Sequence, residues 1–327
     1  MADHLRSCIR WCKERGITDA VNKNGRHVLP VGNADFVAKY ADGVPSRLQH
    51  IITSQHDKVL YAELKQSMPP SDKVRLECCT HLYAGLWLTC STGGEFFLDD
   101  LEFRIAVCLR TGVVPYVFDP NGPPIPCPSA GKSRNAVCNA VDMRSDWFHR
   151  IHCIFENKIG RDRMHNRILA KLLQLADRCL LVAHREPKGY NTIDENGRPT
   201  DKKRPDGIIY FADNQHGLLF DVATVDPIGK TALQRNKNDS HAYSQEAANG
   251  KMKDYKHIAA KKKCDLQPFI VTTLGGFHQT AIDLVNKILR TSKASNKNEI
   301  FYRYLSQISC AIMRDNAAIV QTAHRRA

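Results

Sequence analysis

The chain has 327 residues, 43% of them hydrophobic, with a formal charge of +13 at pH 7 and a pI near 9.2. That apolar content can bury one large core or two smaller ones, and it excludes a disordered chain. The excess of lysine and arginine points to a polyanionic partner, nucleic acid first, because basic side chains gain most beside phosphates whose counterions they release. No apolar run is long enough to span a bilayer, which sets a membrane partner aside.

The opening MADHLRSCIRWCKERG carries charges throughout and lacks the apolar core of a secretory signal, so an intracellular chain is expected. In that setting the twelve cysteines read as buried thiols plus one metal site rather than as disulfides. The first third is expected to be helical. LYAELKQSM from Leu60 runs into a Pro69-Pro70 break, and SDKVRLECCTHLYAGLWL follows with Ser71 or Asp72 as its N-cap. A further helix is expected through LDDLEFRIAVCLRTG, where Leu98, Leu101, Ile105 and Leu109 recur at helical spacing, Asp99 and Asp100 suit the first turn, and Gly112 supplies a stop.

Six prolines between Pro115 and Pro128 preclude a long helix there and mark a boundary. Beyond Cys153 an amphipathic helix is expected, with Leu169, Leu172, Leu173, Ala176 and Leu180 on one apolar stripe, and it ends before Pro187. Residues 189–204 are polar and turn-rich. IIYF from Ile208 and LLFDVATV from Leu218 then read as a hairpin across ADNQHG. A polar helix from Ala242 to Ala260 follows, then a strand PFIVTT and a helix through Ala281, Leu284, Val285 and Leu289, and a last helix carries YLSQISCAIMRDNAAIV.

Two carboxylates stand out. Asp206 opens the first strand of the expected hairpin, and Asp221 lies between Phe220 and Val222 inside the second, where β propensity and burial both disfavour an acid. Such a local inconsistency is a functional hint, although an aspartate at a strand end that accepts backbone hydrogen bonds is the plainer alternative. Placed side by side, two carboxylates repel unless a divalent cation lies between them, and phosphodiester hydrolysis needs both that cation and an activated water. A cation is also needed to orient the water, and in the nuclease class that such an acid pair resembles it is a lysine two residues after the second acid; here that position is Ala223, and Lys251 or Lys253, on the following helix, can reach the same place.

Zinc asks for four soft or borderline ligands, and Cys127, Cys138, His149 and Cys153 can supply three thiolates and an imidazole, with His152 as an alternative. Packing of Trp147 and Phe148 is the competing way to hold that segment together. Two other signals are set aside. Ala130-Gly131-Lys132-Ser133 lacks the first glycine and the preceding strand of a phosphate-binding loop, and Gly275-Gly276 reads as a tight strand-to-helix turn.

In their order, DLEFRIAVCLRTG, the Cys/His segment, RMHNRILAKLL, HREP, RPDGIIYF, LLFDVATVDP, KMKDY, FIVTTLGG and LSQISCAIMRDNA make the chain resemble, over roughly residues 95–320, a known endonuclease region. It is the restriction-endonuclease-like, PD-(D/E)XK region that ends many non-LTR retrotransposon reverse transcriptases. The resemblance implies a small mixed α/β sheet flanked by helices, organised as a helical region over 1–115, a zinc-knuckle-like module over 116–160 and the nuclease domain over 161–327. It implies Mg²⁺ on Asp206 and Asp221, with Glu186 of HREP as a further acidic candidate, and catalytic roles for Lys251 and Tyr255. The run Lys202-Lys203-Arg204 reads as a solvated face, a nuclear import signal or a contact to the DNA backbone, and its place beside Asp206 favours DNA, with Lys253 as a further contact. The family's knuckle has its first cysteines closer together than the ten residues between Cys127 and Cys138, so a structural zinc here implies a lengthened loop.

The implied activity is nicking of target DNA to prime reverse transcription of the element's RNA, in the nucleus; the chain carries no polymerase signature, so it reads as a fragment or a stand-alone derivative, with a separate reverse transcriptase polypeptide as a candidate partner. A catalytically inactive nucleic-acid-binding relic of such an element is the main alternative. A domain whose basic surface docks an acidic protein ranks last.

Overall fold

The computed structural model describes residues 19–21, 27–30, 58, 60–81, 83–89, 94–113, 151, 153, 158–190, 204–211, 217–292 and 295–324. They fall into two compact units, Met1–Pro69 and Pro70–Ala327. In the first, β1 (Asp19–Val21) and β2 (His27–Pro30) pair as an antiparallel ribbon, and residues 60–67 are helical. The ribbon was not expected in a helical region; strands of three and four residues are too short to show a period in sequence.

The second unit opens with α1 (Pro70–Thr80), which ends earlier than its sequence run suggests. The chain turns at Tyr83, whose φ is 66°, before a 3-10 turn over Leu86–Leu88. Helix α2 (Asp100–Thr111) has the expected punctuation. Asp99 accepts from Glu102 N at 2.7 Å while the Glu102 carboxylate accepts from Asp99 N at 3.0 Å, and Gly112 closes the helix in the left-handed region at φ 77°. Val74, Cys78, Ile105 and Leu109 of these two helices share a core with Ile168, Leu172 and Phe220. Helices α1 and α2 thus pack with the four-stranded sheet, and the two compact units divide at Pro69/Pro70.

That sheet has the order β3 (Val182–Arg185), β4 (Gly207–Tyr210), β5 (Gly217–Val225), β6 (Asp265–Thr272). The first three strands are antiparallel, and β6 joins β5 in parallel. A parallel partner requires a long crossover, supplied by α4 (Lys230–Arg235) and α5 (Ala242–Lys262). β5 is central and buried along most of its length, so it reads as a continuous apolar run interrupted by one acid. Pro268 is accommodated because β6 is an edge strand.

Helix α5 covers one face of β5 and β6. On the other side lie α3 (Lys158–Arg178), α6 (Gln279–Thr291) and α7 (Lys297–His324), with Leu169, Leu172, Leu284, Val285, Leu305 and Ile308 in one cluster. The α3 stripe is as read from sequence except at its end. Leu180 is 90% exposed because the chain leaves the helix through a left-handed residue there, φ 58°, and Leu181 turns inward instead. β3 and α4 were not anticipated, and β6 begins three residues before the expected PFIVTT run. Gly275, at φ 82°, makes the expected tight turn after β6. Among the described residues no helix is long and apolar enough to cross a membrane.

Two glycines give opposite predictions. A Cβ on Gly207 would sit 2.3 Å from the Phe220 ring across the β4–β5 pair, whereas one on Gly250, within α5, meets nothing within 4 Å. Gly207→Ala is expected to lower unfolding stability by about 1–3 kcal/mol. Gly250→Ala should raise it by about 0.5–1 kcal/mol, because alanine loses less backbone entropy in a helix. Urea unfolding of the two variants checks both signs.

Candidate active site

The β4–β5 hairpin brings the two acids together. Gly207 pairs with Phe220, and continuing that antiparallel register one step sets Asp206 opposite Asp221. The Val222 N–H donates to Asp206 Oδ2 at 2.7 Å, which ties the first carboxylate to the backbone beside the second. On the other flank, the Glu186 N–H donates to the Asp206 carbonyl at 2.8 Å, so the end of β3 is stitched to the same residue.

Strand alternation decides which face Asp221 occupies. Leu219 clusters with Tyr255, Ile258 and Ala259, and Val225 and Ala223 with Ala248, so Leu219, Asp221, Ala223 and Val225 all face α5. The helix answers with Ser244, Ala248, Lys251, Tyr255 and Ile258, one stripe at three- and four-residue spacing. Lys251 Nζ lies 2.5 Å from Asp221 Oδ2. The Tyr255 hydroxyl donates to the Arg204 carbonyl at 3.1 Å and is also within hydrogen-bonding reach of Asp221; its single proton serves one acceptor at a time. Position 223, two residues beyond the acid, holds an alanine that packs against α5, so the helix, not the strand, delivers the ammonium group.

His165 was not singled out from sequence. It projects from α3 and its Nε2 lies 2.8 Å from Asp206 Oδ2. The signal was present in the stripe itself: His165 extends the Leu169–Leu172–Ala176 row one turn upstream, where an apolar residue fits the pattern.

The remaining sequence-predicted residues are less central. The Glu186 carboxylate pairs with Arg204 and lies 3.5 Å from Arg185 Nε, so it is neutralised by arginines rather than added to the two aspartates. Arg204 and Arg185 are exposed on either side of Glu186, and Lys253 is exposed on α5. Lys202 and Lys203 lie outside the described residues, as do Cys127, Cys138, His149 and His152; Cys153 is described and is buried.

Burial sets the electrostatics. The Asp221 side chain is 2% exposed, and its carboxyl is pushed from 3.8 up to about 6, first by desolvation and then by the neighbouring Asp206 charge, against the opposing pull of Lys251 and Tyr255. Desolvation and the Asp221 charge hold the Tyr255 phenol proton on. The hydrogen bond to Asp206 raises the His165 imidazole, against desolvation.

Apart from the Lys251 ion pair, Asp221 Oδ2 is buried without an aligned hydrogen bond among the described residues. An under-satisfied buried carboxylate beside a second one suits a hard divalent cation. No three His, Cys, Asp or Glu side chains form a metal-binding group among the described residues. Such an ion would therefore rest on the two aspartates, with water or phosphate oxygens completing its shell, as Mg²⁺ accepts. No protein-family model matches the chain, and no characterised protein matches it in sequence.

The raised Asp221 carboxyl has a stability consequence with a definite sign. The folded state holds the proton more tightly than the unfolded chain, so ionising Asp221 opposes folding. The penalty is absent below the ordinary value of 3.8, accrues as pH rises to about 6 and is fully present above that; its ceiling is about 3 kcal/mol. Asp221→Asn is expected to melt a few degrees above the parent at pH 8 in EDTA, with the gap closing as pH falls from about 6 towards 4. Thermal melts of the two proteins across that range check it.

Proposed function

We propose that the chain is a metal-dependent DNA endonuclease of the PD-(D/E)XK kind, a nickase belonging to a retrotransposon-derived, reverse-transcriptase-like protein. The observation that carries this proposal is the convergence of Asp206, at the entry to β4, Asp221 of β5 and Lys251 of α5, the helix that crosses from β5 to β6. Two acids and a lysine are the side-chain chemistry that phosphodiester hydrolysis requires. The excess basic charge supplies the attraction for a polyanionic strand.

Mg²⁺ bound by the two aspartates would neutralise them, acidify a water and polarise the phosphoryl oxygens. Around it, each residue has a task. Asp206 and Asp221 hold the ion. Lys251 orients the attacking water or offsets charge on the phosphoryl group, and Tyr255 limits how far Asp221 and the Arg204 backbone can move. Arg185, Arg204 and Lys253 contact flanking phosphates, which bind the strand without reading its sequence. A structural zinc on Cys127, Cys138, His149 and Cys153 belongs to the same proposal and predicts one zinc per chain by elemental analysis of the purified protein.

The direct test is nicking of supercoiled plasmid by the purified chain in Mg²⁺ or Mn²⁺, with EDTA as control. Asp206→Ala and Asp221→Ala are expected to lose nicking while DNA binding stays within a few fold, because phosphate contacts outlast the loss of a metal ligand. Lys251→Ala should cost about 100- to 1,000-fold in rate. Mg²⁺ should also raise the melting temperature of the parent and not of Asp221→Asn. Undiminished cleavage by the aspartate variants would refute the assignment, and binding with no metal-dependent nicking would identify an inactive nucleic-acid-binding relic.

A further inference from the structure

We propose that His165 is a positioning residue of this site: by donating from Nε2 to Asp206 Oδ2, it turns Asp206 so that the opposite oxygen, Oδ1, is presented to the divalent cation. This rests on the metal-dependent reading of the two aspartates.

The geometry at Oδ2 is the starting point. That one oxygen takes the Val222 N–H at 2.7 Å and lies 2.8 Å from His165 Nε2. Nε2 must carry the hydrogen of this contact, because an ionised carboxylate has none to give. A carboxylate oxygen has about two lone-pair positions, so two donors saturate Oδ2. Rotating the carboxylate to chelate through both oxygens would break both bonds, which leaves Oδ1 as the free donor atom. The backbone N–H is delivered by β5 whatever the side chain at Val222; His165 is the side-chain donor, and among the described residues no other side chain hydrogen-bonds to Oδ2.

His165 can serve this role because α3 cannot easily turn. Arg163 Nε and Arg167 Nη1, one turn apart on α3, lie 2.7 and 3.2 Å from the same oxygen, Oδ1 of Asp315, which is buried on α7. Arg185 Nη2 of β3 donates to Asn166 Oδ1 at 2.6 Å, and Met164 and Ile168 are buried in the core. Successive residues 163–168 are therefore tied to α7, the core, Asp206 and β3. The RMHNR run and the Asp315 of the final helix, which have no place in the reaction itself, fix the rotation at which His165 meets Asp206. A direct ligand role for His165 is not favoured: its Nε2 is already directed at Asp206, and no three-residue metal group forms among the described residues.

The experiment compares His165→Leu, which fills the helix stripe but has no donor, with His165→Gln, whose amide can donate. Mn²⁺ binding to the full chain is measured by calorimetry with Asp221→Ala as the blank, together with the Mn²⁺ concentration that gives half-maximal nicking and thermal melts in EDTA. His165→Leu is expected to weaken Mn²⁺ binding at this site about 10- to 100-fold and to raise the half-maximal Mn²⁺ concentration by a like factor. His165→Gln should recover most of both. A His165→Leu protein that melts like the parent and binds Mn²⁺ as tightly overturns the role of His165 and leaves the nuclease assignment standing. Equal weakening in the Leu and Gln variants also overturns it, since donation would then be irrelevant. A parent chain that takes up no more Mn²⁺ than the Asp221→Ala blank overturns the metal site, and the role of His165 with it.

Discussion

The site depends on one packing contact, the laying of α5 along the face of β5 that carries Leu219, Asp221, Ala223 and Val225. The two partners run in step: Ala248 meets the Val225 end and Tyr255 with Ile258 the Leu219 end, which leaves Lys251 over Asp221 between them. The small residues Ala223 and Ala248 let the helix lie close, so a buried carboxylate finds an ammonium instead of water. A shift of α5 by one residue would swing Lys251 about 100° around the helix axis and leave Asp221 without its cation.

That contact stabilises the fold through its apolar ends and strains it in the middle. Ile208, Leu219, Tyr255 and Ile258 bury apolar surface, while Asp221 is an acid held where its own charge is disfavoured. Proteins keep such groups where function needs them, at the expense of stability. Lys251 only partly compensates, because its side chain is itself 31% exposed and shares its charge with solvent.

Around this centre the polar side chains are arranged in rings. Asp206 is held from the backbone by Val222 and from α3 by His165, and α3 is anchored through Arg163 and Arg167 to Asp315. At the rim, Glu186 sits in the left-handed region at φ 45° and draws Arg204 and Arg185 together. Two arginines around one glutamate leave a net positive charge beside the paired aspartates.

Much of this was legible in the sequence where local physics decides. The capping box at Asp99 and the stop at Gly112 bound α2, and the apolar rows of α3 and α6 mark which faces are buried. The IIYF and LLFDVATV runs read as a hairpin, so it was visible that Asp206 and Asp221 can approach each other. The oddity of an acid inside an apolar strand was visible for the same reason. β3 was not readable, because VAHR is a four-residue exposed edge whose strand character comes from pairing with β4, nor was α4, a six-residue helix too short to show a period. Leu180 misled because a left-handed turn, invisible to periodicity, rotates it out of the stripe. The partners of charged groups belong to tertiary structure alone: Lys251 with Asp221, His165 with Asp206 and Asp315 with two arginines are separated along the chain by 30 to 152 positions. Spacing along a chain sets which side chains share a face; which faces meet is decided only when helices and sheet close on a common core.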